Sequence, residues 1–343
     1  MVRALEWVDE AAVLRVIDQQ LLPRQERYLD LATVDAVVDA IVTLTVRGAP
    51  ALGAVGAFGV AIAMQQGAAE GWDPPRLANE VDRIRLARPT AVNLAWGVDQ
   101  AAIHMAQGID AVLACAKQVM AEDEAANRLL SKLGADWILE HVGKPSVSIV
   151  THCNTGALAT TAWGTAYGII HELHDRGALT LAYADETRPL LQGARLTSWE
   201  LTQDGIPHVV EADGAASSTI LSGRVDAAII GADRIAANGD SANKVGSVAL
   251  ALACQRKGIP FIVAAPFSTV DVSTKTGDDI VIEERDPKEV LEFAGVRTTP
   301  LTAVGFNPAF DVTPHDLISA IVTERGIVEP DKRPDGLVQL SEQ

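Results

Sequence analysis

A chain of 343 residues is long enough for a large core, as two domains or one big α/β unit. With 48% hydrophobic but only 4% aromatic residues, its packing rests on Ala, Val, Leu, Ile and Gly, as in a parallel sheet covered by helices. Its 28 basic against 45 acidic residues, a formal net charge of −17, argue against nucleic acid or an anionic membrane as a partner, since both need a positive footprint. The N-terminal stretch MVRALEWVDEAAV carries acids where a secretion signal has an apolar core, and no window reads as the roughly 18 apolar residues that span a bilayer, so a cytoplasmic protein is expected.

From Thr33 to Thr43 the residues Val34, Val37, Val38, Ile41 and Val42 recur at helical spacing behind Thr33, a residue type suited to the N-cap. Pro50 opens a second helix, ALGAVGAFGVAIAM, and further helical patterns lie near residues 76–87, 91–107 and 110–141. Residues 1–142 are therefore expected to form a mostly helical N-terminal domain without convincing strand alternation. Gly53, Gly56 and Gly59 fall inside a helical pattern, which points to close helix packing. No G-x-G-x-x-G follows a strand and no G-x-x-x-x-G-K-[ST] occurs, so neither a dinucleotide dehydrogenase nor a P-loop NTPase is supported.

After HVGKPS the rhythm changes to short apolar runs separated by helix-length segments: VSIV at 147, LTLAYA at 179, HVVEA at 208, DAAIIGA at 226 and FIVAA at 261. That alternation predicts βαβ units and a Rossmann-like parallel-sheet domain over residues 143–330, an α/β fold class. Residues 331–343 are expected to be a polar, disordered tail.

In an open parallel sheet, ligands sit beyond the carboxyl ends of the strands. There VSIV is followed by Thr151, His152, Cys153 and Asn154, LTLAYA by DETRPLLQGARLT, and DAAIIGA by Asp233, Arg234 and NGDSANKVGS. Cys153 precedes small residues that predict a helix N-terminus, which would depress a thiol pKa; the competing reading is a small buried side chain. Cys115 and Cys254 lie in apolar helical patterns and read as core, and three scattered cysteines build neither a disulfide framework nor a CxxC zinc site. Asp233 follows AIIGA, a setting that would desolvate its carboxyl and make it a general acid; capping of the next turn is the alternative. Asn243 and Lys244 supply an amide and an ammonium for a phosphate or sugar hydroxyl, against the reading of Lys244 as a solvated charge. In TVRGAPALG, Arg47, Gly48 and Ala49 precede Pro50, so free N–H groups at a helix start would lie beside a guanidinium, an anion site in outline. Arg88 in RLARPTAVNLAWG repeats the device. Local capping or salt bridging is the competing reading for both arginines.

RGAP at 47, RPT at 88, THCNTGALAT at 151, DETRPLLQGARLTSWEL at 185, GADRIAANGDSANKVGS at 231 and AAPFSTVD at 264, in this order, resemble the methylthioribose-1-phosphate isomerases of methionine salvage over residues 5 to 328. The resemblance implies a helical domain joined to a Rossmann-like one, a homodimer, and no metal or organic cofactor. It implies that Cys153 and Asp233 form the catalytic pair, while Arg47, Gly48, Ala49, Arg88, Gln192, Asn243 and Lys244 bind a small sugar phosphate. Gln192 enters on the resemblance alone. HVVEADGAASSTI carries smaller residues than the family pattern, which bears on the pocket for the far end of the sugar. Two related readings stand beside it. One is an isomerase acting on ribose 1,5-bisphosphate or 5-deoxyribose 1-phosphate. The other is a non-catalytic regulatory subunit like those of the initiation-factor exchange complex, which retention of both Cys153 and Asp233 disfavours. Cys-dependent acyl transfer ranks last, since no base motif accompanies Cys153.

Overall fold

The chain begins with an antiparallel sheet of three short strands, β1 (Leu5–Val8), β2 (Val13–Ile17) and β3 (Tyr28–Leu31), in a computed structural model that describes residues 3–88 and 92–342. The sequence pattern gives no warning of this sheet. Its central strand β2 buries Val13, Leu14, Val16 and Ile17, so both faces are apolar and the period-2 alternation disappears.

Helices follow where the periodicity places them. In α1 (Val34–Val42) the Thr33 hydroxyl accepts the Ala36 N–H at 3.2 Å, a cap worth about 1 kcal/mol. Next come α2 (Ala49–Glu70), α3 (Pro74–Arg85), α4 (Val92–Ala102) and α5 (Ile109–Val142). Pro89 and Thr90 of the RPT block, and Ala91, lie outside the described residues. The α2 glycines make a helix seam, as their spacing indicated. A methyl on Gly56 would lie 2.7 Å from the Leu94 carbonyl oxygen, and one on Gly97 would lie 1.9 Å from that of Gly53.

The expectation that no window reaches membrane-spanning length does not hold for α2. The 22-residue α2, with a mean hydropathy of 1.3 in its apolar window, is long and apolar enough to cross a membrane, and 78% of that window is buried. Its residues pack instead with Trp7, Leu14, Val37, Ile84, Leu94 and Val98 in one protein core, and Trp7 stacks on Phe58 at 5.4 Å.

The chain divides into two compact units, Met1–Leu129 with Thr155–Gly168, and Leu130–Asn154 with Ile169–Gln343. The strands of the second unit are β4 (Val147–Thr151), β5 (Leu179–Asp185), β6 (His208–Glu211), β7 (Ala227–Ile230), β8 (Arg234–Ala236), β9 (Ser241–Lys244), β10 (Phe261–Ala264), β11 (Val270–Asp271), β12 (Glu292–Phe293), β13 (Val296–Arg297), β14 (Phe310–Thr313), β15 (Ala320–Thr323) and β16 (Gly326–Val328). Its helices are α6 (Ala166–Asp175), whose first turn belongs to the other unit, α7 (Ser198–Gln203), α8 (Ala216–Leu221), α9 (Ser247–Lys257), α10 (Lys288–Leu291) and α11 (Gly336–Ser341). All five apolar runs read from the sequence are strands of one sheet, ordered β16-β15-β10-β7-β4-β5-β6 and parallel except for β16. From β4 the chain steps outward through β5 and β6, then returns to the other side of β4 with β7 and continues through β10 and β15. The strand order therefore reverses between β4 and β7, which is where ligands of such sheets bind. A smaller sheet, β11-β8-β9-β14, follows directly from the end of β7.

The tail also differs from expectation. Leu337 and Leu340, three residues apart, give α11 one apolar face, and that face is buried in the core of the second unit with Val328 and Ile321.

Candidate active site

Cys153 and Asp233 follow β4 and β7, the two neighbouring strands that flank the reversal in strand order. Cys153 is 9% exposed and has φ +66, a left-handed conformation that costs a non-glycine residue of order 1–3 kcal/mol and persists only when its surroundings impose it. Two threonine hydroxyls do so. Thr187 Oγ1 accepts the Cys153 N–H at 2.9 Å, and Thr197 Oγ1 donates to the Cys153 carbonyl oxygen at 2.6 Å. The next residue, Asn154, donates through Nδ2 to the buried Glu200 at 2.5 Å. Neither threonine carries a sequence signal for this role, because both bonds join residues more than 30 positions apart.

The helix expected immediately after Cys153 does not form there. Residues 154–165 are irregular and α6 starts at Ala166. Side chains and glycines take over the backbone: Thr160 Oγ1 donates to the carbonyls of Gly156 and Ala162, Thr155 Oγ1 accepts the Tyr167 N–H, and Trp163 and Gly164 both have positive φ. The helix start expected directly after Cys153 in the chain is therefore displaced to Ala166.

Asp233 is half-buried rather than enclosed, and its N–H donates to Ala242 O at 2.9 Å, which fastens it to the strand that carries Asn243 and Lys244. Lys244 is 7% exposed, so the solvated-charge reading falls away. Its Nζ donates to Ala309 O at 2.7 Å and lies 4.5 Å from the centre of the Phe310 ring. Asn243 Nδ2 donates to Ser247 Oγ at 2.8 Å. At the start of α9 the N–H groups of Gly246 and Val248 donate to Asp311 Oδ2, whose acid burial pushes above the usual carboxylate range.

Gln192 stands at the head of a five-residue π-turn, Gly193–Thr197, that folds back onto the end of β5. A methyl on Gly193 would lie 1.7 Å from Asp185 O, so only glycine permits the approach. Gln192 is buried, yet its Oε1 meets no hydrogen-bond donor among the described residues. Leaving such a group unsatisfied costs about 1–3 kcal/mol.

Arg47, Gly48, Ala49 and Arg88 belong to the first unit. Gly48 is the N-cap of α2, with φ +107 and no side-chain cap, and a methyl there would lie 2.2 Å from Ala159 O. The Ala51 N–H donates to that same oxygen at 3.2 Å, so one of the helix-start donors is internally satisfied. Arg47 and Arg88 are half-buried, Arg88 three residues beyond the end of α3.

Residues 45–330 match the Initiation factor 2 subunit family. The chain is 50% identical over 326 residues to a probable bifunctional methylthioribose-1-phosphate isomerase/methylthioribulose-1-phosphate dehydratase of Nocardia farcinica, covering 95% of this chain but only 59% of that protein. It is 48% identical over 329 residues to a methylthioribose-1-phosphate isomerase of an Anaeromyxobacter species, covering 96% and 95% of the two chains. Among solved structures it resembles 5-methylthioribose 1-phosphate isomerase from Pyrococcus horikoshii, at TM-score 0.89 and 40% identity over 100% of this chain and 96% of that one. It also resembles translation initiation factor eIF-2B subunit delta from A. fulgidus, at TM-score 0.86 and 36% identity over 99% and 100%.

Proposed function

The chain belongs to the Initiation factor 2 subunit family, and from that membership we propose that it is an aldose–ketose isomerase converting 5-methylthioribose 1-phosphate to 5-methylthioribulose 1-phosphate. The observation that carries the reading is the placement of Cys153, in an imposed left-handed backbone, and Asp233 at the two strand ends flanking the reversal of the sheet.

Phosphate on the anomeric oxygen keeps this sugar from opening to a free aldehyde, so the enzyme has to open the ring itself. Protonated Asp233 donates to the ring oxygen as the bond from that oxygen to C1 breaks, leaving C1 electron-poor. In the relay route Cys153 thiolate removes the C2 proton to give an enol phosphate and returns it to C1, while the C2 hydroxyl proton passes to Asp233. The ketone forms at C2, C1 keeps its phosphate ester, and both side chains recover their starting protonation. Atoms and electrons balance within the substrate, with no external oxidant. As substrate-binding residues we propose Arg47, Gly48, Ala49 and Arg88 of the first unit and, of the second, Gln192, Asn243 and Lys244.

The same reading carries a cytoplasmic homodimer that engages neither nucleic acid nor membrane. The negative net charge supports the absence of nucleic acid, and an exposed apolar segment in the second unit supports self-association.

The test is an NMR assay of the purified protein on methylthioribose 1-phosphate, 5-deoxyribose 1-phosphate and ribose 1,5-bisphosphate in deuterated buffer. Turnover of the first is expected; deuterium at C1 shows the relay, with exchange of the Cys153 thiol proton against solvent, whereas a direct hydride shift from C2 leaves none. Preference for either of the others transfers the assignment to that sugar. A folded protein inert on all three sinks the isomerase reading and favours a binding subunit, the role suggested by the likeness to eIF-2B subunit delta.

A further inference from the structure

His152 precedes Cys153 in the chain and takes no part in the chemistry above. Its ring is fully buried, with Nδ1 2.8 Å from Asp185 Oδ2 and Nε2 2.9 Å from Val245 O. Val245 O can only accept, so Nε2 donates, and an ionised Asp185 also accepts; with that carboxylate ionised both ring nitrogens donate, and only the imidazolium has two N–H groups. The ring therefore joins three segments of the second unit: the end of β4, the end of β5, and the turn between β9 and α9 that follows Asn243 and Lys244. That turn closes directly on the ring, since a methyl on Gly246 would lie 2.8 Å from its Cε1. From the end of β5 the connection reaches Cys153, because Thr187 Oγ1 donates to Asp185 O at 3.1 Å while accepting the Cys153 N–H.

We propose that the His152–Asp185 ion pair is a positioning device for the isomerisation, locking the Cys153 loop and the Asn243–Lys244 turn into one geometry. The proposal rests on the isomerase reading. A metal ion does not explain the cluster of His152, Asp185 and Asp213. Both ring nitrogens are engaged, and the two carboxylate oxygens of Asp213 accept the N–H groups of Thr187 and Arg188 at 2.7 and 2.6 Å.

Among the described residues, acidic groups face the pair: Asp185, Asp213 and Asp311 around His152, and Asp213 and Glu211 around Asp185. Burial opposes the charge on His152, but the bonds to Asp185 and Val245 and the surrounding acids outweigh it and raise its pKa. Burial pushes the Asp185 carboxyl up to about 6 against the pull of His152. The ion pair therefore exists from about pH 6 up to the raised pKa of His152. Below that window Asp185 protonates; above it His152 loses its proton and one acceptor loses its donor.

The experiment compares wild type, His152→Gln and Asp185→Asn. In protein labelled with ¹⁵N-histidine at pH 7, wild type is expected to show two ring N–H signals for His152, absent in His152→Gln. Both variants should lose at least about tenfold in kcat, in line with displaced catalytic groups, with KM changing less. The acid limb near pH 6 should disappear in Asp185→Asn, which keeps an acceptor oxygen and the side-chain shape and so carries the test if His152→Gln fails to fold. Turnover by wild type checks the isomerase reading separately, and its absence defeats that reading rather than the charge state of the ring. One ring N–H signal in wild type, or a wild-type kcat and pH profile in folded Asp185→Asn, overturns the proposal.

Discussion

The three thiols sit in different chemical settings. Burial pushes Cys254 up to about 12, and burial also raises Cys115, whose Sγ lies 3.4 Å from Gln100 O, so neither ionises near neutral pH. Cys153 alone of the three stands at a strand end with its backbone fixed in a left-handed conformation. Replacing Cys153 by Ala, or Asp233 by Asn, is expected to lower kcat by at least about 100-fold, the low end for a lost acid–base group, with KM little changed. Arg47→Ala should do the reverse, raising KM through loss of a charge-assisted contact worth roughly 1.5–3 kcal/mol. Steady-state kinetics of the three variants beside Cys254→Ala decides the matter. Near-normal kcat in Cys153→Ala would return that residue to the role of a small buried side chain. The arginines, Cys153, Asp233, Asn243 and Lys244 could be selected from sequence because Pro-started helices and strand ends are local patterns. Gln192 could not, since its approach to β5 depends on the π-turn and the contact of Gly193 with Asp185 O.

Between elements, the tightest approach in the first unit is the seam of α2 and α4. The carbonyl oxygen of Gly53 occupies the space that a Gly97 side chain would need, so Gly97→Ala must displace backbone rather than a flexible side-chain tip. A cost of about 1–3 kcal/mol is expected, read as a lowered midpoint in urea unfolding with unchanged slope. An unaltered midpoint would show that the helices separate at no cost. The glycine spacing anticipated this seam because close packing leaves a helical period in the sequence. The irregular chain after Cys153 left no such trace. Its small residues are compatible with a helix, and the threonine hydroxyls that satisfy its backbone in another form reveal themselves only once folded.

At the scale of the molecule, apolar side chains are concentrated in an exposed segment of the second unit, with Leu301, Val304 and Phe306 at 89%, 94% and 75% exposure and Val281, Phe293 and Val296 also open to solvent. A large exposed apolar set marks an interaction surface, and the homodimer proposed above assigns it to a second copy of the chain. Light scattering should give twice the mass of one chain for wild type and a single chain for Leu301→Glu/Phe306→Glu. A dimer that survives both charges places the interface elsewhere.

By itself the sequence determined the α/β class, the helices of the first half, the five parallel strands and the polar positions at their ends, because hydrophobic period, proline and capping residues act over a few neighbours. The tertiary structure alone decided that β4 and β7 are adjacent, which brings the ends bearing Cys153 and Asp233 side by side, since strand order leaves no mark on the strands themselves. It also decided that the tail is a packed helix, that Lys244 is buried on Ala309 O, and that His152 meets Asp185, 33 residues away. Each of these depends on partners distant in the chain, and burial and hydrogen bonding between such partners exist only after the backbone has folded.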